Sequence, residues 1–205
     1  MSERERLIFA TGNEHKMKEI REILGDRYDV VSMKEAGIDA HIVEDGDSFE
    51  ANALIKARAV AKLAGCMAMA DDSGIEIDYF GGLPGIFSAR FLGEDTSYEI
   101  KNRAIIRALE NAKPSERTAR FVCAIACAWP DGREDVVRGV FEGEIAHEPA
   151  GANGFGYDPI FLVPSYGMTS AEISPEEKNA ISHRGNALRM MRARLECADA
   201  NLGDQ

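Results

Sequence analysis

The chain has 205 residues, enough for one sizeable core as one large domain or two small lobes. It is 45% hydrophobic and 29% charged, ordinary for a soluble globular protein, and no run of about 18 apolar residues marks a membrane span. Its 24 basic and 35 acidic residues give a net charge of −11, which argues against non-specific nucleic-acid binding. A small anionic ligand would need only basic residues gathered at one site.

The opening Met-Ser-Glu-Arg-Glu-Arg is mixed in charge and is not expected to be a signal peptide. Leu7-Ile-Phe-Ala reads as a first strand and runs into Thr11-Gly12-Asn13-Glu14-His15-Lys16. The helix expected next carries Met17, Ile20 and Leu24 on one face, with Gly25 just beyond its end. A glycine turn, a helix N-terminus and a lysine make a natural anion site. The alternative, favoured by this stretch alone, is an ordinary strand-to-helix turn capped by Asn13, and the Walker pattern is absent.

Tyr28-Asp-Val-Val-Ser is a second expected strand, and His41 to Asp47, with Glu44, is an acidic loop. Asp47 and Glu50 have capping-box spacing and open an alanine-rich helix to about Ala64. That helix carries Asn52, Lys56, Arg58 and Lys62; Lys56 and Lys62 are expected to face solvent, as lysines ordinarily do, and nothing in the periodicity singles out Lys56. Cys66 to Ala70 is small and apolar, as in a buried strand. Asp71, Asp72, Ser73 and Gly74 follow, where the chain is expected to leave the core. Adjacent carboxylates are costly unless solvated, hydrogen-bonded or bound to a cation, so this is either an acidic hairpin turn or a catalytic centre.

Ile75 to Tyr79 alternates like a half-buried strand, and Gly81, Gly82, Pro84 and Gly85 form a rigid turn. Thr96 and Glu99 suggest a capping box for a helix to about Asn111, with Ile100, Ala104, Ile105 and Leu109 buried. Thr118 to Trp129, a turn at Asp131-Gly132 and Glu134 to Ala146 read as a hairpin of long strands. Long strands interleaved with helices imply an α/β class with a mixed sheet. The four cysteines, Cys66, Cys123, Cys127 and Cys197, form no CxxC pair, so a reducing cytoplasm is expected.

In Gly151-Ala-Asn-Gly-Phe-Gly-Tyr-Asp-Pro, glycines surround Phe155, Tyr157 and Asp158, and a short strand follows at Ile160 to Val163. Phe155 is either a stacking platform for a base or a plug for its own loop. Ser174-Pro175-Glu176-Glu177 is a strong helix start. Lys178 follows, and the chain is expected to break and restart at Ser182-His183-Arg184-Gly185. The last helix runs through Leu188, Met191 and Leu195, with a frayed tail over 200–205. No internal repeat or linker divides the chain, which is read as one domain with its core over about 7–195.

Five segments together resemble the inosine/xanthosine triphosphate pyrophosphatases, house-cleaning enzymes for non-canonical purine nucleotides. They are Thr-Gly-Asn-x-x-Lys at 11–16, Ala-Asp-Asp-Ser-Gly at 70–74, Gly-Gly-x-Pro-Gly-Ile at 81–86, Phe-Gly-Tyr-Asp-Pro at 155–159 and Glu-Lys-Asn-Ala-Ile-Ser-His-Arg at 177–184. They occur in order from about Leu7 to Leu195. One departure is that Ala51 stands where the family often has a glutamate before its helix asparagine.

The resemblance implies a long mixed sheet flanked by helices, with two lobes around a substrate cleft. It implies Mg²⁺-dependent cleavage between the α and β phosphates of inosine, deoxyinosine and xanthosine triphosphates, giving a monophosphate and pyrophosphate. Asp72 would act as catalytic base and metal ligand, and Glu44 as a second metal ligand. Thr11, Gly12, Asn13, Glu14, His15, Lys16, Lys56 and Ser73 would hold the triphosphate. Phe155 would stack on the base, with Gly156, Tyr157, Asp158, Lys178, His183 and Arg184 shaping its pocket. A cytoplasmic homodimer acting on a small-molecule substrate, without nucleic acid or membrane, completes the expectation. The rivals are a pyrophosphatase for other modified nucleotides and a non-catalytic nucleotide sensor.

Overall fold

A computed structural model describes residues 4–202. Its strands are β1 (Glu5–Phe9), β2 (Tyr28–Ser32), β3 (Ala68–Ile77), β4 (Thr118–Ala128), β5 (Glu134–Ile145), β6 (Phe161–Val163) and β7 (Met168–Thr169). Its helices are α1 (Glu14–Leu24), α2 (Phe49–Ala64), α3 (Tyr98–Ala108), α4 (Pro175–Ile181) and α5 (His183–Leu202). The sheet has the order β2-β1-β3-β4-β5-β6-β7. β1 pairs parallel with β2 (Glu5 opposite Tyr28) and β3 (Ile8 opposite Ala68), and β6 pairs antiparallel with β5 and β7. The expected α/β class with a mixed sheet is therefore present.

The chain forms two compact units. The first holds the described residues up to Asp72, Cys123–Gly139 and those from Arg184 onward. Its core joins Leu7, Phe9, Met69 and Ile125 of the strands to Met17, Ile20 and Leu24 of α1 and Leu188, Met191 and Leu195 of α5. Fully burying each such large apolar side chain contributes about 1.5–3 kcal/mol. The i, i+3, i+7 spacing of Met17, Ile20 and Leu24 gives α1 its single buried face. Asn13 starts α1 as expected, its side chain accepting the N–H groups of His15 and Lys16.

The second unit holds Ser73–Val122 and Val140–His183. Its core gathers Ile75, Ile77, Ile105, Leu109, Phe121, Phe141, Ile160 and Phe161. Gly74 is required here, because a Cβ would collide with the Gly85 carbonyl and the Ser88 hydroxyl. Ser88 Oγ accepts the Ile75 N–H at 2.9 Å and donates to the Gly85 carbonyl at 2.6 Å.

Several expectations need correction. β3 continues through Asp71–Gly74, so the chain does not turn there and both carboxylates lie inside a buried strand. Side-chain partners, rather than solvent, meet the cost of burying them. The caps of α2 and α3 are Ser48 and Ser97, whose hydroxyls accept the Ala51 and Ile100 N–H groups. Each lies one residue after the expected Asp47 or Thr96. α3 ends at Ala108, Ile100 is 57% exposed, and Lys101 and Asn102 are buried instead. Strand β7 had no clear signal in its two residues. Of the tail expected to fray, α5 takes in 200–202, and 203–205 lie outside the described residues.

Candidate active site

The first unit builds a charged cluster around the two adjacent aspartates of β3. Successive strand residues face opposite ways, so Asp71 and Asp72 meet different helices. Asp71 is fully buried, with Lys16 Nζ of α1 2.8 Å from its Oδ2 and Arg184 Nη2 of α5 at 3.5 Å. Arg184 is also buried and pairs with Glu19, one helical turn beyond Lys16 on α1. Burial alone would raise the Asp71 pKa. The charges of Lys16, Arg184 and Lys56 outweigh it and hold the carboxyl well below the usual carboxylate range.

Asp72 faces α2. Asn52 Nδ2 donates to its Oδ2 at 3.1 Å, while Asn52 Oδ1 accepts the Gly46 N–H at 2.9 Å. One carboxamide thus fixes the carboxylate and the acidic loop together. Lys56, one turn along α2, donates to Glu44 Oε2 at 2.7 Å. Burial pushes the Asp72 pKa up, and Glu44 adds to this; Lys56, Lys16 and the Asn52 hydrogen bond oppose it without cancelling it. Lys56 is itself pushed down by burial, but Asp71, Asp72 and Glu44 more than restore it, so it stays a cation. Its side chain is 13% exposed, against the solvent-facing position expected of a helix lysine.

Thr11 Oγ1 accepts the Asn13 N–H at 3.2 Å, which shapes the turn ahead of α1. Gly12, Glu14 and His15 are exposed, and a Cβ on Gly12 would meet nothing within 4 Å. The first unit therefore brings together Glu44, Lys56, Lys16, Asp71, Asp72 and Arg184 around the start of α1. Ser73, half-buried, belongs to the second unit. Sequence reading passed over Asn52 and Glu19 as site residues. Glu19 offered only a spacing that shares a helix face with Lys16 (i, i+3), while Asn52 shares a face with Lys56 (i, i+4) and is the helix asparagine of the resemblance.

The second unit builds another cluster around Asp158, which is 2% exposed. Its Oδ2 accepts Lys178 Nζ at 2.7 Å and the Phe155 N–H at 2.8 Å, and its Oδ1 accepts Ser170 Oγ at 2.7 Å. Lys178 Nζ also lies 5.4 Å from the Phe155 ring centroid, within cation–π range. Gly154, at φ +72°, leaves room where a Cβ would strike the Asp158 carboxylate. The Gly156 carbonyl accepts Asn102 Nδ2, and Tyr157 donates from its hydroxyl to the Ser88 carbonyl. His183 is buried and stacks on Phe121, with ring centroids 4.8 Å apart. Phe155, Asp158 and Lys178 thus form one group, while Arg184 belongs to the Asp71 cluster of the first unit.

The first cluster pairs a raised-pKa carboxylate with concentrated cations, as hydrolysis of a polyanion requires. The second presents an aromatic ring on a loop pinned by a buried ion pair, as recognition of a flat ligand requires. Residues 7–194 match the Ham1 family, and the chain belongs to that family. A Bacillus subtilis protein named dITP/XTP pyrophosphatase is 47% identical over 190 residues, covering 92% of this chain and 96% of its own. An Escherichia coli O157:H7 protein of the same name is 44% identical over 190 residues, covering 91% and 96%. Among solved structures, a HAM1 protein from Coxiella burnetii superposes with a TM-score of 0.85 at 42% identity, covering 94% of this chain and 98% of that one.

Proposed function

We propose that this chain is a nucleoside triphosphate pyrophosphohydrolase that clears non-canonical purine nucleotides from the cellular pool. Its substrates are inosine, deoxyinosine and xanthosine triphosphates, cleaved to the monophosphate and pyrophosphate. The observation that carries this reading is Asp72, a buried carboxylate held by Asn52 beside the Lys56–Glu44 pair.

The donor set suits Mg²⁺, a hard cation that takes one or two carboxylates and shares its remaining positions with water and substrate phosphates. Asp72 and Glu44 would supply those carboxylates. When bound, the ion neutralises triphosphate charge and makes a coordinated water more acidic. Asp72 orients the attacking water and accepts its proton as the new P–O bond forms and the bond between the α and β phosphates breaks. The Asn52 hydrogen bond fixes the direction of the Asp72 carboxylate. Lys16, Lys56, the Ser73 hydroxyl and the positive end of the α1 dipole hold the phosphates. Asp71 is the countercharge that holds Lys16 in place.

In the base site, Lys178 occupies one face of the Phe155 ring, and the purine stacks on the other. His183 and Arg184 supply donors to the 6-oxo group of hypoxanthine or xanthine, and Arg184 remains the countercharge of Asp71. Adenine presents an amino donor at that position, which leaves those donors unsatisfied and favours the oxo-purines.

We read the chain as one catalytic domain, active as a homodimer in the cytoplasm. The exposed side chains of Leu83, Phe87, Leu92 and Ile100 supply apolar surface for a second copy.

The deciding experiment incubates the protein with Mg²⁺ and inosine, xanthosine, guanosine or adenosine triphosphate, and assays pyrophosphate and orthophosphate separately. Pyrophosphate in step with monophosphate, chiefly from the first two, is expected. Orthophosphate with diphosphate would overturn the cleavage position. Tight binding without product would make the chain a sensor.

A further inference from the structure

The start of α3 buries Lys101 and Asn102, while the Ile100 expected to be buried is exposed. Lys101 is 1% exposed and donates from Nζ to the Ala89 carbonyl at 2.6 Å, with the Tyr98 ring 4.9 Å away. Asn102 is 4% exposed and donates from Nδ2 to the Gly156 carbonyl at 3.1 Å. Its Oδ1 is buried and has no hydrogen-bond partner among the described residues. Burying an unsatisfied carbonyl oxygen costs stability, so packing does not explain an asparagine at this position.

Each of these side chains acts on the same short loop. The Tyr98 ring meets Tyr157 edge-on at 5.2 Å, and its ring carbons lie 3.6–4.0 Å from where a Gly156 Cβ would be. Lys101 ties the same turn to the Ala89 carbonyl, next to the Ser88 carbonyl that accepts the Tyr157 hydroxyl. The α3 side of the loop is therefore fixed at Gly156 and Tyr157, and the Asp158–Lys178 pair fixes it at Phe155. Gly156 is at φ +68° and Gly154 at φ +72°, so glycines flank Phe155 on both sides. Two glycines leave the loop free to take other backbone conformations unless its carbonyls are held.

We propose that Asn102 and Tyr98 are positioning residues for the base site. They hold Gly156 and Tyr157 so that the Phe155 ring is presented to the purine in one orientation. This inference rests on the reading that Phe155 stacks on the base. Both residues act through the loop and touch neither the phosphates nor Asp72. Their loss should therefore fall on recognition of the base rather than on the chemical step.

The test is a double-mutant cycle of Asn102→Ala and Phe155→Ala, scored by the KM for inosine triphosphate. Competitive inhibition by inorganic tripolyphosphate, which has no base, is measured in the same variants. Asn102→Ala should raise KM by about fivefold. It should change kcat by less and leave tripolyphosphate inhibition at its wild-type value. Phe155→Ala should raise KM by about tenfold. The double variant should resemble Phe155→Ala alone, because Asn102 has no ring left to position. Tyr98→Phe, which keeps the ring, should retain wild-type KM, and Tyr98→Ala should not. If Asn102→Ala weakens tripolyphosphate inhibition as much as it raises KM, or if the two substitutions multiply, the positioning role is wrong. If Phe155→Ala itself leaves KM unchanged, the stacking reading fails first, and the positioning role fails with it.

Discussion

Asn52 holds Asp72 with one end of its carboxamide and the Gly46 N–H with the other, at 3.1 and 2.9 Å. The orientation of the carboxylate and the path of the acidic loop that carries Glu44 therefore depend on a single side chain. Removing a hydrogen bond to a charged group costs about 1.5–3 kcal/mol, so Asn52→Ala should lower kcat/KM by about 10- to 100-fold. Asn52→Asp should be worse, since it sets a second carboxylate against Asp72. Steady-state rates of the two variants check the order, and an active Asn52→Asp enzyme would show that Asp72 is oriented by something else.

Asp72→Asn separates catalysis from folding. Turnover should fall by at least about 100-fold, the contribution of a positioned general base. Stability should move the other way. Burial raises the Asp72 pKa above its ordinary 3.8, so the charged form is less favourable in the folded chain than in the unfolded one. An uncharged amide removes that cost. Thermal unfolding at pH 7 should give a Tm equal to or above wild type. A marked drop in Tm would place Asp72 among the stabilising charges.

Asp71 has the opposite sign. Its folded pKa lies below the unfolded 3.8, so its contribution to stability is complete above that value and disappears as the pH falls through the folded value. Lys16→Met strips the buried carboxylate of its nearest cation and should cost about 3–5 kcal/mol. Adding Asp71→Asn should recover much of that loss without restoring activity. Urea unfolding of the two single variants and the double variant measures the coupling. Independent effects would remove the buried pair from the account.

Gly154→Ala probes the base loop. At φ +72° an alanine is strained, and its Cβ would displace the Asp158 carboxylate from Lys178 and the Phe155 N–H. KM for inosine triphosphate should rise about tenfold or more, with a smaller change in kcat. Binding of 2-aminopurine nucleotide, followed by fluorescence quenching on stacking, would check that the lost affinity belongs to the ring.

Much of this architecture can be read from the residues, and the failures share a cause. α1 was legible because its cap and apolar face lie within a dozen residues of each other. The α2 and α3 caps were placed one residue early because Asp47 and Thr96 can cap as well as the serines beside them. The Asp71–Asp72 pair could be read either as an acidic turn or as a catalytic centre, and its place inside a strand was not legible because its partners are remote. Lys16 and Asn52 come from helices earlier in the chain, and Arg184 is 113 residues away. Local pattern cannot report a countercharge at that distance. Lys101 and Asn102 were missed for the same reason, since what they hold lies in loops outside α3.

The pairing of Glu19 with Arg184, 165 residues apart, bears on how the chain matures. Arg184 opens α5, so the counterion set around Asp71 is incomplete until that segment has been synthesised and docked. Such long-range closure forms slowly compared with helical contacts. A nascent chain that stops short of α5 would carry the strand, the aspartates and Lys16, yet would leave Asp71 under-compensated. Nucleotide hydrolysis is therefore expected to switch on late in biosynthesis, when the last helix reaches a carboxylate laid down long before it.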